Sequence, residues 1–225
     1  MTGSLRSQTR AVVPARPGWA HERRIARDGF RSVAGLDEVG RGSLAGPVVV
    51  AAVILRPGVS IEGVNDSKLL SPRRRDLMVR QILLSSVAWG LGAADSAEID
   101  EINILNATRL AMTRAVGALP ERPDHLLIDA VTLPGMAIAQ TSLIKGDRIS
   151  VTIAAASVVA KVMRDRLMEY YDRMYPGFGF AANKGYGTRE HLEAVTRQGA
   201  CPIHRLTFRG VGQTLWDEFG EHLGH

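Results

Sequence analysis

The chain reads as an α/β fold, a layered sandwich of strands and helices, and three features of the sequence say so. The β-branched apolar run Val48-Val-Val-Ala-Ala-Val-Ile-Leu55 is the pattern of a strand buried on both faces. From about Val151 to Met174, Val159, Met163, Leu167, Tyr170 and Met174 recur at helical spacing, which marks a long helix with an apolar first half. Between these two, short apolar stretches alternate with helical ones, an order that lays helices on a sheet.

The elements follow in sequence. Met1 to about Gly18 is polar, arginine-bearing and broken by Pro14 and Pro17, and reads as a disordered basic tail ahead of a single domain over 19–225. Trp19 to Asp28 is a short helix stopped by Gly29. Two strands follow, one ending at Asp37-Glu38 and the other covering Val48 to Leu55. Ser71-Pro72, an N-cap with proline at the first helical position, opens a helix through about Leu84. Val87 to Ala94 is a third strand, giving the sheet an antiparallel part. Asp95 with Glu98 caps a helix carrying Ile99, Ile102, Leu105, Met112, Val116 and Leu119 on one face. His125-Leu-Leu-Ile-Asp129 and Ala137 to Ile144 are two more strands, the second leading through Lys145-Gly146-Asp147 into the long helix. Asn183-Lys-Gly-Tyr-Gly-Thr188 is a glycine-rich loop opening a helix at Glu190, and Gln213 to Phe219 is an amphipathic C-terminal segment.

Composition narrows the class. At 225 residues one domain buries about 70% of the surface its unfolded chain exposes, so the fold needs no disulfide or metal staple. Cys201 is the only cysteine, which excludes an internal disulfide and a thiolate zinc cluster and suits a reducing cytoplasm. The longest apolar run, Leu44 to Leu55, contains Pro47 and is too short to cross a bilayer, so no membrane association is expected. The net charge of +5 sits in the first 31 residues, where seven arginines face only Glu22 and Asp28. The remaining chain is formally neutral, and a nucleic-acid site in it must come from local clusters.

One such cluster surrounds Asp37-Glu38. Two carboxylates at the end of an apolar run are costly to bury unless a cation neutralises them. Gly40-Arg41-Gly42 follows at once: the glycines allow close backbone approach, and a guanidinium grips phosphate. Gly40-Arg-Gly42-Ser-Leu-Ala45 also matches the Gly-x-Gly-x-x-Gly/Ala dinucleotide fingerprint. That reading fails on context, because Pro47 and the β-branched run make the next element a strand, not a helix. Asp129 and Asp147 are further acids at element ends, where a cap or an exposed strand end is the plain alternative. With no cysteine or histidine cluster, carboxylates from separate strands favour Mg²⁺ or Mn²⁺ over zinc. Along the long helix runs one polar line, Ser157, Lys161 and Arg164. Tyr186 reads on its own as a packing residue in a turn. His191 and His204 read as hydrogen-bonders outside any metal site.

Asp37-Glu-x-Gly-Arg-Gly42 followed by Ala45-Gly-Pro47 and an apolar strand resembles the bacterial type 2 ribonucleases H, the ribonuclease HII family; Arg41 favours it over the sister ribonuclease HIII, which usually has lysine there. The helix Ile153-Ala-Ala-Ala-Ser157-Val-Val-Ala-Lys161-Val-Met-Arg164-Asp165 resembles the family too, and the likeness spans about residues 31 to 210. Ala130 departs from it, standing where the family often has glycine. The resemblance implies a ribonuclease H-like fold, a mixed five-stranded sheet flanked by helices with a C-terminal helical extension. It implies a metal site of Asp37, Glu38, Asp129 and Asp147 holding Mg²⁺ or Mn²⁺, two ions during catalysis. Substrate contacts are implied at Gly40, Arg41, Gly42, Lys68, Ser157, Lys161 and Tyr186, the tyrosine lying against the ribose of the key ribonucleotide. The implied activity is cleavage of the RNA strand of RNA–DNA hybrids and incision 5′ to single ribonucleotides in duplex DNA, by a cytoplasmic monomer. Gln213 to Phe219 faintly resembles a sliding-clamp peptide. Two alternatives remain: a related fold acting on DNA only, and a catalytically silent nucleic-acid-binding module. The intact carboxylates speak against the silent module, and Gly40-Arg-Gly42 with Tyr186 against the DNA-only enzyme, because the 2′-hydroxyl separates RNA from DNA.

Overall fold

The computed structural model describes residues 17–61, 63–64 and 71–212. The tail through Arg16, the implied substrate contact Lys68, and the Gln213–Phe219 segment lie outside the described residues. The elements run α1 (Ala20–Arg27), β1 (Val33–Val39), β2 (Val48–Leu55), α2 (Pro72–Ser85), β3 (Ser86–Ala94), α3 (Ser96–Gly117), β4 (His125–Asp129), β5 (Ala139–Leu143), α4 (Val151–Met174), α5 (Phe180–Asn183) and α6 (Arg189–Gln198). Ahead of α1, the Gly18 carbonyl accepts from Val151 N–H at 3.2 Å.

The strands form one mixed sheet in the order β3-β2-β1-β4-β5. β1 pairs antiparallel with β2 and β2 with β3, whereas β4 runs parallel to both β1 and β5. All of β2 is buried, because the sheet is covered on both faces. Val48, Val50, Ala52 and Ile54 pack against α3 with Ala34, Leu36, Leu126 and Ile128; Ala51, Val53 and Leu55 pack against α2 and the apolar half of α4. Each fully buried valine or isoleucine here contributes roughly 1.5–3 kcal/mol. A smaller core of Met168, Phe178, Phe180, Ala194, Val195 and Ile203 sits under the C-terminal helices.

The helix termini follow their caps. Ser71 Oγ accepts from Arg74 N–H at the start of α2, and Asp95 and Glu98 form a reciprocal capping box on α3. One expectation is corrected in α3. Asn103 has φ +64° and ψ 162°, which breaks the helical path, and its Oδ1 accepts from the Leu105 and Asn106 N–H groups to restart it. The apolar face therefore changes register, and Leu105 is left 39% exposed. An amide side chain able to cap a new helix segment outweighs a continuous hydrophobic stripe at this point.

Candidate active site

β1 and β4 lie side by side and parallel with Leu36 opposite Ile128, so the next residues, Asp37 and Asp129, emerge together at the strands' carboxyl ends. Gly35, two residues before Asp37, faces α4. A Cβ there would strike the backbone of Thr152 and Ile153, so only glycine lets the helix lie this close to the strand. That contact places Ser157 of α4 beside Asp37. Asp129 Oδ1 accepts from Gly146 N–H at 2.8 Å, which ties the turn carrying Asp147 to the end of β4. The four acids, the Gly40-Arg41-Gly42 turn, Ser157, Lys161 and Tyr186 line one cleft of about 390 Å³. Arg164, third in the polar line of α4, points away from the cleft into the protein.

The acids strain one another. Asp37 is 6% exposed, and burial holds its carboxyl well above the usual range; Ser157, which hydrogen-bonds it, acts in the opposite sense, and the charges of Glu38 and Asp129 raise it further. Burial also raises Glu38, opposed by Arg41, whose Nη1 donates to Glu38 Oε1 at 3.2 Å. Glu38 Oε2 is buried with no hydrogen-bond partner. Among the described residues, no three histidine, cysteine, aspartate or glutamate side chains are drawn together tightly enough to hold a metal ion. The charges of these acids act against one another, and a divalent cation between them would relieve that repulsion. The donor set fits such a cation: hard carboxylate oxygens, one of them orphaned in a buried site, with repulsion for the ion to relieve.

The rim opposite is fully cross-braced. Arg164 and Arg205 are both completely buried. Arg164 donates to the carbonyls of Pro47, Ala45 and Lys184 at 2.9, 3.1 and 2.8 Å; Arg205 donates to those of Gly46, Arg41 and Gly40 at 2.6–3.0 Å. Burial, together with the positive charge of Arg164, pushes Arg205 down to about 9. These two guanidiniums fix the loop from Gly40 to Pro47 from within, and Gly185 O, accepting from Leu44 and Ala45 N–H, joins that loop to the one carrying Tyr186. The Tyr186 ring is 41% exposed and lies 5.8 Å from the Arg164 guanidinium.

The sequence singles out both glycines of the Gly40-Arg41-Gly42 turn for close approach to a ligand, and the structure separates them. Gly40 has φ +98° and packs flat on the Arg164 guanidinium, where a Cβ would overlap it. Around Gly42 a Cβ would meet nothing within 4 Å. Gly40 is thus needed by the protein itself, while Gly42 leaves the cleft wall open. One charged cleft residue escapes the sequence reading. Arg75 of α2 lines the cavity and pairs with Asp165 at 3.2 Å, the same carboxylate that holds Lys161 at 2.6 Å. Its only sequence signal is the Arg73-Arg74-Arg75 run, which looks like a solvated helix start.

An α/β sandwich that collects buried carboxylates at adjoining strand ends, beside a cationic turn, defines a metal-dependent nuclease. The family model of ribonuclease HII matches residues 34–211. A ribonuclease HII from Geobacter sulfurreducens is 53% identical over 197 residues, covering 88% of this chain and 91% of that protein. Among solved structures, ribonuclease H2 from Pyrococcus horikoshii superposes with a TM-score of 0.69 at 27% identity, over 85% of this chain and all of that one. The PCNA:RNase HII complex from Archaeoglobus fulgidus gives a TM-score of 0.66 at 25% identity, over 80% of this chain and 96% of that chain. The chain belongs to the ribonuclease HII family, and it is a metal-dependent endoribonuclease of the hybrid-cleaving kind. Its mixed five-stranded sheet is the ribonuclease H-like fold expected from the sequence.

Proposed function

We propose that this enzyme, besides hydrolysing the RNA strand of hybrids, incises duplex DNA 5′ to a single embedded ribonucleotide and leaves 5′-phosphate and 3′-hydroxyl ends. The observation that supports it is the junction of two loops. The Gly40-Arg41-Gly42 turn and Tyr186 line the same cleft as the four acids, locked to each other through Gly185 O. A tyrosine ring laid on a sugar, with the open wall at Gly42 admitting its 2′-hydroxyl, recognises one ribose without needing a run of them. A deoxyribose leaves those groups unpaired.

Asp37, Glu38, Asp129 and Asp147 would hold Mg²⁺ or Mn²⁺, two ions in the working enzyme, which supply Lewis-acid stabilisation of the phosphoryl charge and a water acidic enough to attack at neutral pH. The protein's share is orientation. Ser157 and the Glu38 N–H, 2.8 Å from Asp37 Oδ1, set the rotamer of Asp37. Arg41, now on Glu38, is placed to shift its guanidinium to a phosphate, and Lys161 and Arg75 add positive charge at the cleft. As the water oxygen bonds to phosphorus and gives up a proton to solvent, the bond to the 3′ oxygen breaks, and that oxygen takes up a proton from solvent. The enzyme acts in the cytoplasm as a monomer. The archaeal neighbour, solved with PCNA, supports a clamp contact, for which Gln213–Phe219 is this chain's candidate segment.

Matched duplexes test the reading: all-DNA, DNA with one ribonucleotide, and a continuous hybrid, each with Mg²⁺ at one salt concentration because phosphate contacts are salt-dependent. The last two should be cut and the first left whole. Tyr186→Ala should lose far more on the single ribonucleotide than on the hybrid, with Tyr186→Phe separating hydroxyl from ring. Equal losses on both substrates would sink the assignment.

A further inference from the structure

His191 and His204 play no part in the chemistry described so far. His191 is fully buried and His204 is 2% exposed; their Nε2 atoms are 3.0 Å apart and their rings pack against Phe178 and Phe180. The backbone at each end decides where the protons sit. Cys201 N–H can only donate, and it lies 2.9 Å from His204 Nδ1, so that nitrogen accepts. The Cys201 Sγ at 3.1 Å and carbonyl at 3.3 Å are then secondary neighbours of Nδ1. His204 therefore carries its proton on Nε2 and donates to His191 Nε2. His191 carries its proton on Nδ1 and donates to the Tyr186 carbonyl oxygen, 2.9 Å away, which can only accept.

The result is a one-way chain of three hydrogen bonds through two neutral imidazoles. A further proton is opposed: on His191 Nε2 it would face the His204 N–H, and on His204 Nδ1 it would face the Cys201 N–H, with only the more distant Cys201 carbonyl to favour it. Burial agrees, pushing both imidazoles down, with His191 adding to the effect on His204.

The chain ends on Tyr186. The Tyr186 carbonyl also accepts from Thr188 N–H at 2.8 Å, and its own N–H donates to Asn183 O at 3.0 Å. Both peptide groups flanking its Cα are thereby fixed, and the ring keeps only its side-chain torsions. We propose that His191 is a positioning residue that sets the height of the Tyr186 ring in the cleft, with His204 fixing its tautomer, so that the pair controls discrimination for the ribose at the cut. The inference rests on Tyr186 reading that ribose.

A double-mutant cycle tests it. His191→Phe keeps a flat ring without the donor, His191→Asn returns an amide N–H near the position of Nδ1, and each is combined with Tyr186→Ala. His191→Phe should lower kcat/KM on the single-ribonucleotide duplex about tenfold more than on the hybrid, the scale of one lost hydrogen bond. His191→Asn should restore most of it, and His191→Phe added to Tyr186→Ala should cost nothing more. In the wild type, ¹⁵N spectra should place protons on His191 Nδ1 and His204 Nε2, and this readout stands even where a variant does not fold. Additive losses, or the opposite tautomers, would overturn the proposal. Equal losses from Tyr186→Ala on both substrates, with His191→Phe still adding nothing, would sink the ribose reading while supporting the coupling of His191 to Tyr186.

Discussion

Asp37 and Glu38 end one strand, and the loop from Gly40 to Pro47 begins two residues later, yet the two are stabilised in opposite ways. The acids are buried against one another, held above their usual range and left with an orphaned Glu38 oxygen. The loop has its carbonyls taken up by two buried guanidiniums, and the neighbouring Tyr186 loop ends in a closed histidine chain. Groups that must accept a cation keep their demand unmet, whereas groups that must judge shape are immobilised. Electrostatic strain at the acids is thus the counterpart of pre-organisation at the rim.

Asp37→Asn should separate the two halves most sharply. The amide keeps the shape and removes a charge that holds the metal, so cleavage should fall on the order of 10³-fold or more, about 4 kcal/mol of transition-state stabilisation. Duplex binding should survive, because the rim is untouched and repulsion of phosphate is reduced. The folded protein should gain stability, since a buried and repelled charge is gone. Turnover, affinity and Tm of the purified variant measure all three. Near-normal turnover in Mg²⁺ would remove Asp37 from the ligands, and a lower Tm would contradict the strain.

Gly40→Ala and Gly42→Ala then divide the rim itself. At Gly40 the methyl enters a guanidinium that three carbonyls hold in place, at a φ that L-residues rarely adopt, so about 2–3 kcal/mol of stability should be lost. At Gly42 the methyl projects into open space. Stability there should change by less than about 0.5 kcal/mol, while cleavage of a single ribonucleotide falls roughly tenfold as the wall closes on the sugar. Denaturant midpoints and kcat/KM on both substrates decide it. A Gly42→Ala enzyme with full activity would show that nothing approaches that wall.

How much of this was legible beforehand follows the same divide. Strand patterns, caps and the long helix are local signals, and they located β1, β2, β4 and α4 to within a residue or two. The carboxylates were visible as acids in apolar company, because burying charge without compensation is penalised and so stands out. What the sequence could not show was the bracing. Arg164 looks in the sequence like part of one polar line with Ser157 and Lys161, yet it turns away from them onto carbonyls contributed by a loop 117 residues away. Arg205 and the His191–His204 pair depend on C-terminal segments folding back over the Gly40–Pro47 loop. No periodicity encodes such a long-range pairing of side chain with backbone. The kink at Asn103 was missed for a smaller reason: one capping amide inside an apolar stripe is outvoted by the stripe.

The finest distinction between the halves lies in the pH dependence of stability, measured without metal. A carboxyl raised by burial binds more protons in the folded state than in the unfolded, so Asp37 costs stability as pH rises above the ordinary carboxylate range. His204 has the opposite sign. Its folded value is pushed down to about 4, so the unfolded chain binds more protons below about 6.5, and its contribution is complete above that pH and lost as pH falls toward 4. The two slopes have opposite signs, and Glu38, also raised by burial, adds to that of Asp37. Asp37→Asn removes the larger part of the first, leaving that of Glu38, and should expose the His204 contribution, a loss on the order of 2 kcal/mol between pH 6.5 and 4.5. In His204→Gln the amide can accept from Cys201 N–H and donate to His191 without titrating, and the slope should reverse. Urea midpoints across pH 4.5–7.5 give the curves directly. Parallel curves for wild type and His204→Gln would mean that the imidazole takes up its proton as readily in the folded chain as in the unfolded, and the neutral hydrogen-bonded chain behind Tyr186 would then have to be abandoned.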